Sequence, residues 1–229
     1  MRALVFDLDD TLYVEYEYFR SGYTFVAAEL AKVTGHNAAD LLEIFESIHL
    51  EDGRDYVFDK ALARLELPDS MVPHLVSTYR SHTPSLSLPN GSGEVLNRLR
   101  KRFKLGCVTD GWAAVQRGKV AALELEPFLD AIVIADDAGR AFWKPHPISL
   151  RHCCEKLGVS THEAIFVGDN PARDMEAARA AEMRFILMRT PLGHKWTYPK
   201  NEPMIFAIVA SLSELEELLD NMVREGHFS

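Results

Sequence analysis

Five short runs of apolar residues constrain this chain more than any other feature of its sequence, at positions 2–8, 103–109, 131–135, 164–168 and 185–188. Each is the length of a strand, and each is apolar without alternation, as expected of a strand buried on both faces. After the second run a helix is expected over 113–123, after the third over 147–157, and then over 172–181 and 213–223. Pro147 can open a helix, and Ser160 with Glu163, like Ser211 with Glu214, has capping-box spacing. Strand and helix alternating in this way predict an α/β fold, with a doubly wound, Rossmann-like parallel sheet as its core.

Residues 15–88 break the alternation. No strand-like run occurs there, but apolar residues recur at helical spacing: Phe19, Tyr23, Val26, Leu30 and Val33, then Leu41, Ile44, Phe45 and Ile48. Two further stripes follow, Phe58, Leu62 and Leu65, then Val72, Leu75, Val76 and Tyr79. About four helices inserted after the first strand account for this. Residues 81–93, rich in Pro, Ser, Asn and Gly, read as the return linker. The expected division is a core of 1–14 with 89–229 and a helical-bundle insert of 15–88.

With 229 residues, a formal net charge of -9 and a pI near 5.5, the surface offers a polyphosphate such as nucleic acid no attraction. Cys107, Cys153 and Cys154 cannot all pair with one another and have no metal-site spacing, so they read as free buried thiols. No charged-then-apolar leader and no apolar run of bilayer length is evident. The expectation is a cytoplasmic protein with neither a membrane nor a nucleic-acid partner.

Four polar elements fall just beyond the C-terminal ends of expected strands, where open α/β sheets bind their ligands. In Asp7-Leu8-Asp9-Asp10-Thr11, extended backbone would point Asp7 and Asp9 to one side. Two carboxylates that close need neutralising, and a hard divalent cation does this well. A carboxylate can also attack phosphorus while a second carboxyl protonates the leaving oxygen. Thr109-Asp110-Gly111 offers a hydroxyl and backbone N–H groups to a phosphate oxygen. In Trp143-Lys144-Pro145-His146-Pro147, two prolines fix the backbone around an ammonium. Gly168-Asp169-Asn170-Pro171-Ala172-Arg173-Asp174 adds two carboxylates that can complete a magnesium site.

Together these elements resemble the haloacid dehalogenase-like hydrolases over roughly residues 1–188. Asp7 to Thr11 looks like the family's DxDxT motif, Thr109 and Lys144 like its second and third motifs, and Gly168 to Asp174 like GDxxxxD. The resemblance implies a Mg2+-dependent phosphatase with Asp7 as nucleophile and Asp9 as general acid and base. It implies that Thr109 and Lys144, with the backbone of Asp110 and Gly111, hold the phosphoryl group. Asp7, the Asp9 main-chain carbonyl and Asp169 would ligate Mg2+, with Asp174 and Asn170 in support. The helical insert looks like the family's cap, and the substrate like a small phosphorylated metabolite of the sugar phosphate, phosphoglycolate or nucleotide class.

Asp110 stands where relatives often carry Asn, so its side chain is expected to point away, as a helix cap. His146 departs from a commoner acidic residue and reads as a non-catalytic surface group. Tyr13 and Tyr16 are candidates for contact with a sugar or base, and His49, Arg54, Arg117 and Arg173 for contact with an anion. Residues 189–195 read as a mobile basic loop at the edge of the site. A sugar-phosphate mutase shares every core motif, and a fold without turnover is a further alternative. A 2-haloacid dehalogenase uses the same nucleophile but usually lacks an Asp at position 9. A phosphonatase would need a desolvated lysine in the insert, for which Lys32 and Lys60 are the candidates.

Overall fold

The computed structural model describes residues 1–194, 196–198 and 201–225. Its sheet comprises β1 (Ala3–Phe6), β2 (Lys104–Thr109), β3 (Ala131–Ile134), β4 (Ala164–Gly168), β5 (Arg184–Met188) and β6 (Ile205–Val209). The spatial order is β3-β2-β1-β4-β5-β6, and every pairing is parallel. This is the doubly wound order, in which the winding direction reverses at β1. All four residues of β1 and all five of β4 are buried, so the apolar runs are interior strands covered on both faces. β6 was not anticipated. It is an edge strand whose Phe206 and Ile208 are about half exposed.

Contacts divide the chain into two units, Met1–Glu15 with Ser87–Ser229, and Tyr16–Leu86. The helical unit holds α1 (Glu15–Thr34), α2 (Ala38–Asp52), α3 (Val57–Arg64) and α4 (Val72–Ser81). Tyr23, Val26, Leu30, Leu41, Phe45, Ile48, Phe58, Leu62 and Leu75 form its core. Most of the helical stripes in the sequence thus face one another, each large side chain contributing about 1.5–3 kcal/mol by burial. α2 starts at Asn37, whose side chain accepts from Ala39 N–H, and ends at Gly53 with φ 83°.

In the sheet unit, α5 (Ser92–Arg100) is a helix outside those expected from sequence, and it begins within the expected linker of 81–93. α6 (Ala113–Ala122), α7 (Ile148–Leu157), α8 (Glu176–Ala181) and α9 (Leu212–Arg224) follow. One sheet face packs Val5, Val108, Phe166 and Phe185 against Leu150, Cys153 and Leu157 of α7 and Ala177 and Ala178 of α8. The helix expected over 172–181 is split: Pro171–Met175 is a π-helical turn and α8 is shorter than the pattern suggested. The Ser160–Glu163 capping box forms on a 3-10 turn rather than an α-helix. All three cysteines are buried and free, and burial pushes Cys153 up to about 12 and Cys154 up to about 11. Among the described residues, no helix is long and apolar enough to cross a membrane.

Candidate active site

Sheet register brings the polar elements together. Phe6 pairs with Cys107 on β2 and with Val167 on β4, so Asp7, Val108 and Gly168 stand level at the strand ends. Asp7 N–H donates to the Val167 carbonyl at 2.8 Å, which fixes the residue as the chain leaves the sheet. Asp10 then adopts φ 54°, a left-handed conformation that Asp tolerates. Its carboxylate holds that turn by accepting from Glu15 N–H and His194 N–H, each at 2.9 Å.

Lys144 reaches this point from the loop after β3. It is buried, its ammonium donates to Asp7 Oδ1, and it pairs with Asp174 Oδ1 at 2.7 Å. Burial works against its charge, but Asp174, Asp7 and Asp110 push its pKa well above the ordinary value. Asp7 is raised by burial against the pull of Lys144, with Asp174 and Asp9 adding to the rise. Asp174 also accepts from Asn170 N–H at 3.0 Å, while Asn170 Oδ1 accepts from Ala172 N–H and caps the π-helical turn. Gly168 has a reason here: a Cβ would lie 2.5 Å from Asp174 Oδ2.

Asp7, Asp169 and Asp174 each offer a carboxylate oxygen, all within 4.8 Å of one another. Three carboxylates against one ammonium leave the cluster short of positive charge. Accordingly burial, Asp174 and Asp7 push Asp169 up to about 9, although the Trp196 indole N–H donates to it at 2.8 Å. Hard oxygen donors in excess of local cations suit a magnesium ion, so the residues fit that group.

The Asp9 carboxylate is held apart from this cluster. Lys119 Nζ contacts its two oxygens at 2.7 and 2.9 Å, Tyr13 OH donates to Oδ1 at 2.5 Å and Gln116 Nε2 to Oδ2 at 3.0 Å. Burial alone would raise the Asp9 pKa, yet Lys119, Tyr13 and Gln116 hold it below the ordinary value. This corrects the reading of Tyr13 as a contact for a sugar or base, because Tyr13 is buried with its hydroxyl committed to Asp9.

Thr109 ends β2, buried, and its hydroxyl accepts from Gln116 Nε2 at 2.5 Å. Gly111 follows at φ 124°, where a side chain would be strained. The Asp110 side chain caps no helix, contrary to expectation. Its Oδ2 accepts from Lys144 N–H at 3.0 Å and from Arg173 at 2.5 Å, tying three loops together. Asp136 caps α6 instead, accepting from Ala113 N–H at 2.9 Å.

The remaining candidates are less central. His146 is exposed, its Nδ1 accepting from Ile148 N–H. Arg117 pairs with Asp137 on the surface, and within the helical unit His49 bonds Tyr23 and packs edge-on to Tyr16, while Arg54 lies over Phe19. Lys32 and Lys60 are solvated and paired with Glu29 and Asp52, unlike a Schiff-base lysine. Of the loop 189–195, Lys195 lies outside the described residues.

The family described as haloacid dehalogenase-like hydrolase matches residues 4–188. A glyceraldehyde 3-phosphate phosphatase from Pyrococcus furiosus is 27% identical, over 99% of this chain and 95% of its own. The crystal structure of a HAD phosphatase from Thermococcus onnurineus shares the fold at TM-score 0.61, with 25% identity over 96% of this chain and 98% of its own. A 2-haloacid dehalogenase from Pseudomonas syringae pv. Tomato DC3000 does so at TM-score 0.59, with 26% identity over 96% and 99%. With the family matched across most of its length and the motif residues gathered at the ends of β1, β2 and β4, this chain belongs to the haloacid dehalogenase-like hydrolases.

Proposed function

We propose that the chain is a Mg2+-dependent phosphatase that hydrolyses small phosphomonoesters through an aspartyl-phosphate on Asp7. The observation that carries this reading is the division of labour between carboxylates. Asp7 lies beside Lys144 within the Asp7, Asp169 and Asp174 cluster, while Asp9, two residues on, has its own set of donors.

In this reading an Asp7 oxygen attacks phosphorus and the bond from phosphorus to the ester oxygen breaks. Asp9, ionised at rest, takes up a proton from solvent and gives it to the departing oxygen. Asp9 then takes a proton from water as that water attacks phosphorus, and phosphate leaves with Asp7 restored. Lys144, the Thr109 hydroxyl and the N–H groups of Asp110 and Gly111 hold the phosphoryl oxygens. Asp174 steadies Lys144 at 2.7 Å. Magnesium held by Asp7, Asp169 and the Asp9 main-chain carbonyl would supply positive charge to the phosphoryl oxygens.

Attack on carbon with loss of halide needs neither a proton donor nor a cation, so Asp9 and the acidic cluster favour phosphoryl transfer over dehalogenation. A relative named for glyceraldehyde 3-phosphate supports a small phosphorylated substrate. The helical unit is assigned as the cap that selects it, and the three free thiols fit a reducing, cytoplasmic setting.

The test is phosphate release from glycerol phosphates, phosphoglycolate, sugar phosphates and nucleoside monophosphates, with Mg2+ or EDTA, for wild type and Asp7→Asn. The proposal expects Mg2+-dependent release that disappears in the variant. Release unaffected by EDTA, or conversion of a sugar phosphate to its isomer without release, would overturn it.

A further inference from the structure

Helix α6 carries two polar side chains on its inward face, Gln116 and Lys119, three residues apart and both buried. A buried lysine has to be balanced, and this one lies across both oxygens of the Asp9 carboxylate at 2.7 and 2.9 Å. Its next carboxylate, Glu15, is 4.0 Å away. Tyr13 and Gln116 supply one further donor to each Asp9 oxygen. A carboxylate has about four acceptor sites, so these contacts occupy Asp9 fully. For Asp9 to meet a leaving-group oxygen, one donor has to give way.

The donors differ in how easily they can do so. Gln116 Nε2 is shared among Asp9 Oδ2, Thr109 Oγ1 and the Asp110 carbonyl, at 3.0, 2.5 and 2.7 Å. It can leave Asp9 and stay bonded. Lys119 spans both oxygens, and withdrawing it would break two short contacts between a buried ammonium and the partly exposed Asp9 carboxylate.

Resting on the assignment of Asp9 as general acid, we infer that Lys119 is a positioning residue that anchors the Asp9 carboxylate, with Gln116 the donor that yields Oδ2 to the leaving oxygen. Lys119 fixes the plane and reach of the carboxylate. Oδ2, once Gln116 has released it, takes up a proton from solvent water and passes it to the alcohol as the P–O bond breaks, along the direction that Lys119 sets.

Leaving-group dependence tests this, because kcat/KM covers the steps up to departure of the alcohol. An alkyl alcohol needs the proton, whereas p-nitrophenolate leaves without it. Wild type, Lys119→Met, Lys119→Arg, Tyr13→Phe and Asp9→Asn are assayed on glycerol 1-phosphate and p-nitrophenyl phosphate, with thermal unfolding recorded for each. Lys119→Met is expected to lower kcat/KM about 100-fold for the alkyl ester and less than about 5-fold for the aryl ester. Lys119→Arg should recover most of the difference, and Tyr13→Phe, which keeps the ring, should show a smaller loss of the same kind.

Equal losses on both esters in Lys119→Met, alongside an ester-dependent loss in Asp9→Asn, would overturn the positioning role and leave Asp9 as the acid. Equal losses in Asp9→Asn itself would overturn the assignment of Asp9, and the inference with it. Should Lys119→Met fail to fold, the Arg and Tyr13→Phe variants carry the same comparison, and equal effects on both esters there overturn the role.

Discussion

Replacing Gly168 by Ala tests whether a backbone position sets the geometry of the charged cluster. A Cβ built there lies 2.5 Å from Asp174 Oδ2 and 2.8 Å from Asp174 Cβ and Cγ. Ordinary contact begins near 3.4 Å, so the Asp174 side chain or the β4 backbone must move by roughly 0.6–0.9 Å, a shift that a tightly packed interior resists. Asp174 is itself held by Lys144 at 2.7 Å and by Asn170 N–H at 3.0 Å, and such a shift carries at least one contact beyond bonding range. Overpacking of this kind costs about 1–3 kcal/mol, and weakening one charged, buried hydrogen bond adds about 1–2. The expected loss is about 2–5 kcal/mol by urea unfolding, or roughly 4–20 °C in Tm for a chain of this size. Because Lys144 is steadied by Asp174, kcat/KM should fall about 100-fold, the usual consequence of an ångström-scale misplacement. In an Asp174→Ala background the same substitution should cost much less, since two side chains in contact are not additive. Stability within about 0.5 kcal/mol of wild type with activity intact would refute the reasoning.

Two further outcomes follow from buried polar groups. His82 Nδ1 donates to the Tyr79 carbonyl at 2.5 Å, and its buried Nε2 has no hydrogen-bond partner among the described residues, so the neutral ring fits and the charged ring does not. Burial holds its pKa below the ordinary 6.5, so the unfolded state binds more protons and stability is lost as pH falls below about 6.5. An NMR titration of the His82 ring should give a midpoint below 6.5, and a midpoint at or above it would contradict the assignment. Arg173→Met leaves the buried Asp110 carboxylate without its ion pair and should cost about 1–3 kcal/mol, discounted for the partial exposure of the arginine. Adding Asp110→Asn should recover at least half of that in urea melts, and no recovery would show that the charge is not the cause.

The interior of the sheet was legible because strands buried on both faces write themselves as unbroken apolar runs, and Asp7, Thr109 and Asp169 lie where those runs end, with Lys144 in the loop after the third. β6 carries a signal of the same kind, Ile-Phe-Ala-Ile-Val, but lies beyond a long loop and outside the strand–helix alternation. α5 shows only Val95, Leu96 and Leu99 against charged neighbours, a stripe too short to outweigh the linker before it. The surroundings of Asp9 were hidden for a different reason. Gln116 and Lys119 sit among Ala and Val on α6, where their spacing alone marks a shared face, and only the packing of α6 shows that this face points inward. Asp136 capping α6 from 23 positions away, and Trp196 bonding Asp169, depend on tertiary proximity that local sequence does not encode.

The most direct test of the account is to find where the phosphoryl group resides during turnover. Wild-type enzyme mixed with a phosphoester and Mg2+, quenched in acid within the first turnover and digested, should carry one phosphoryl group on the peptide containing Asp7. Asp7→Asn should carry none and release no phosphate. A phosphoryl group on another residue, or continued hydrolysis by Asp7→Asn, would contradict the assignment of Asp7 as the nucleophile.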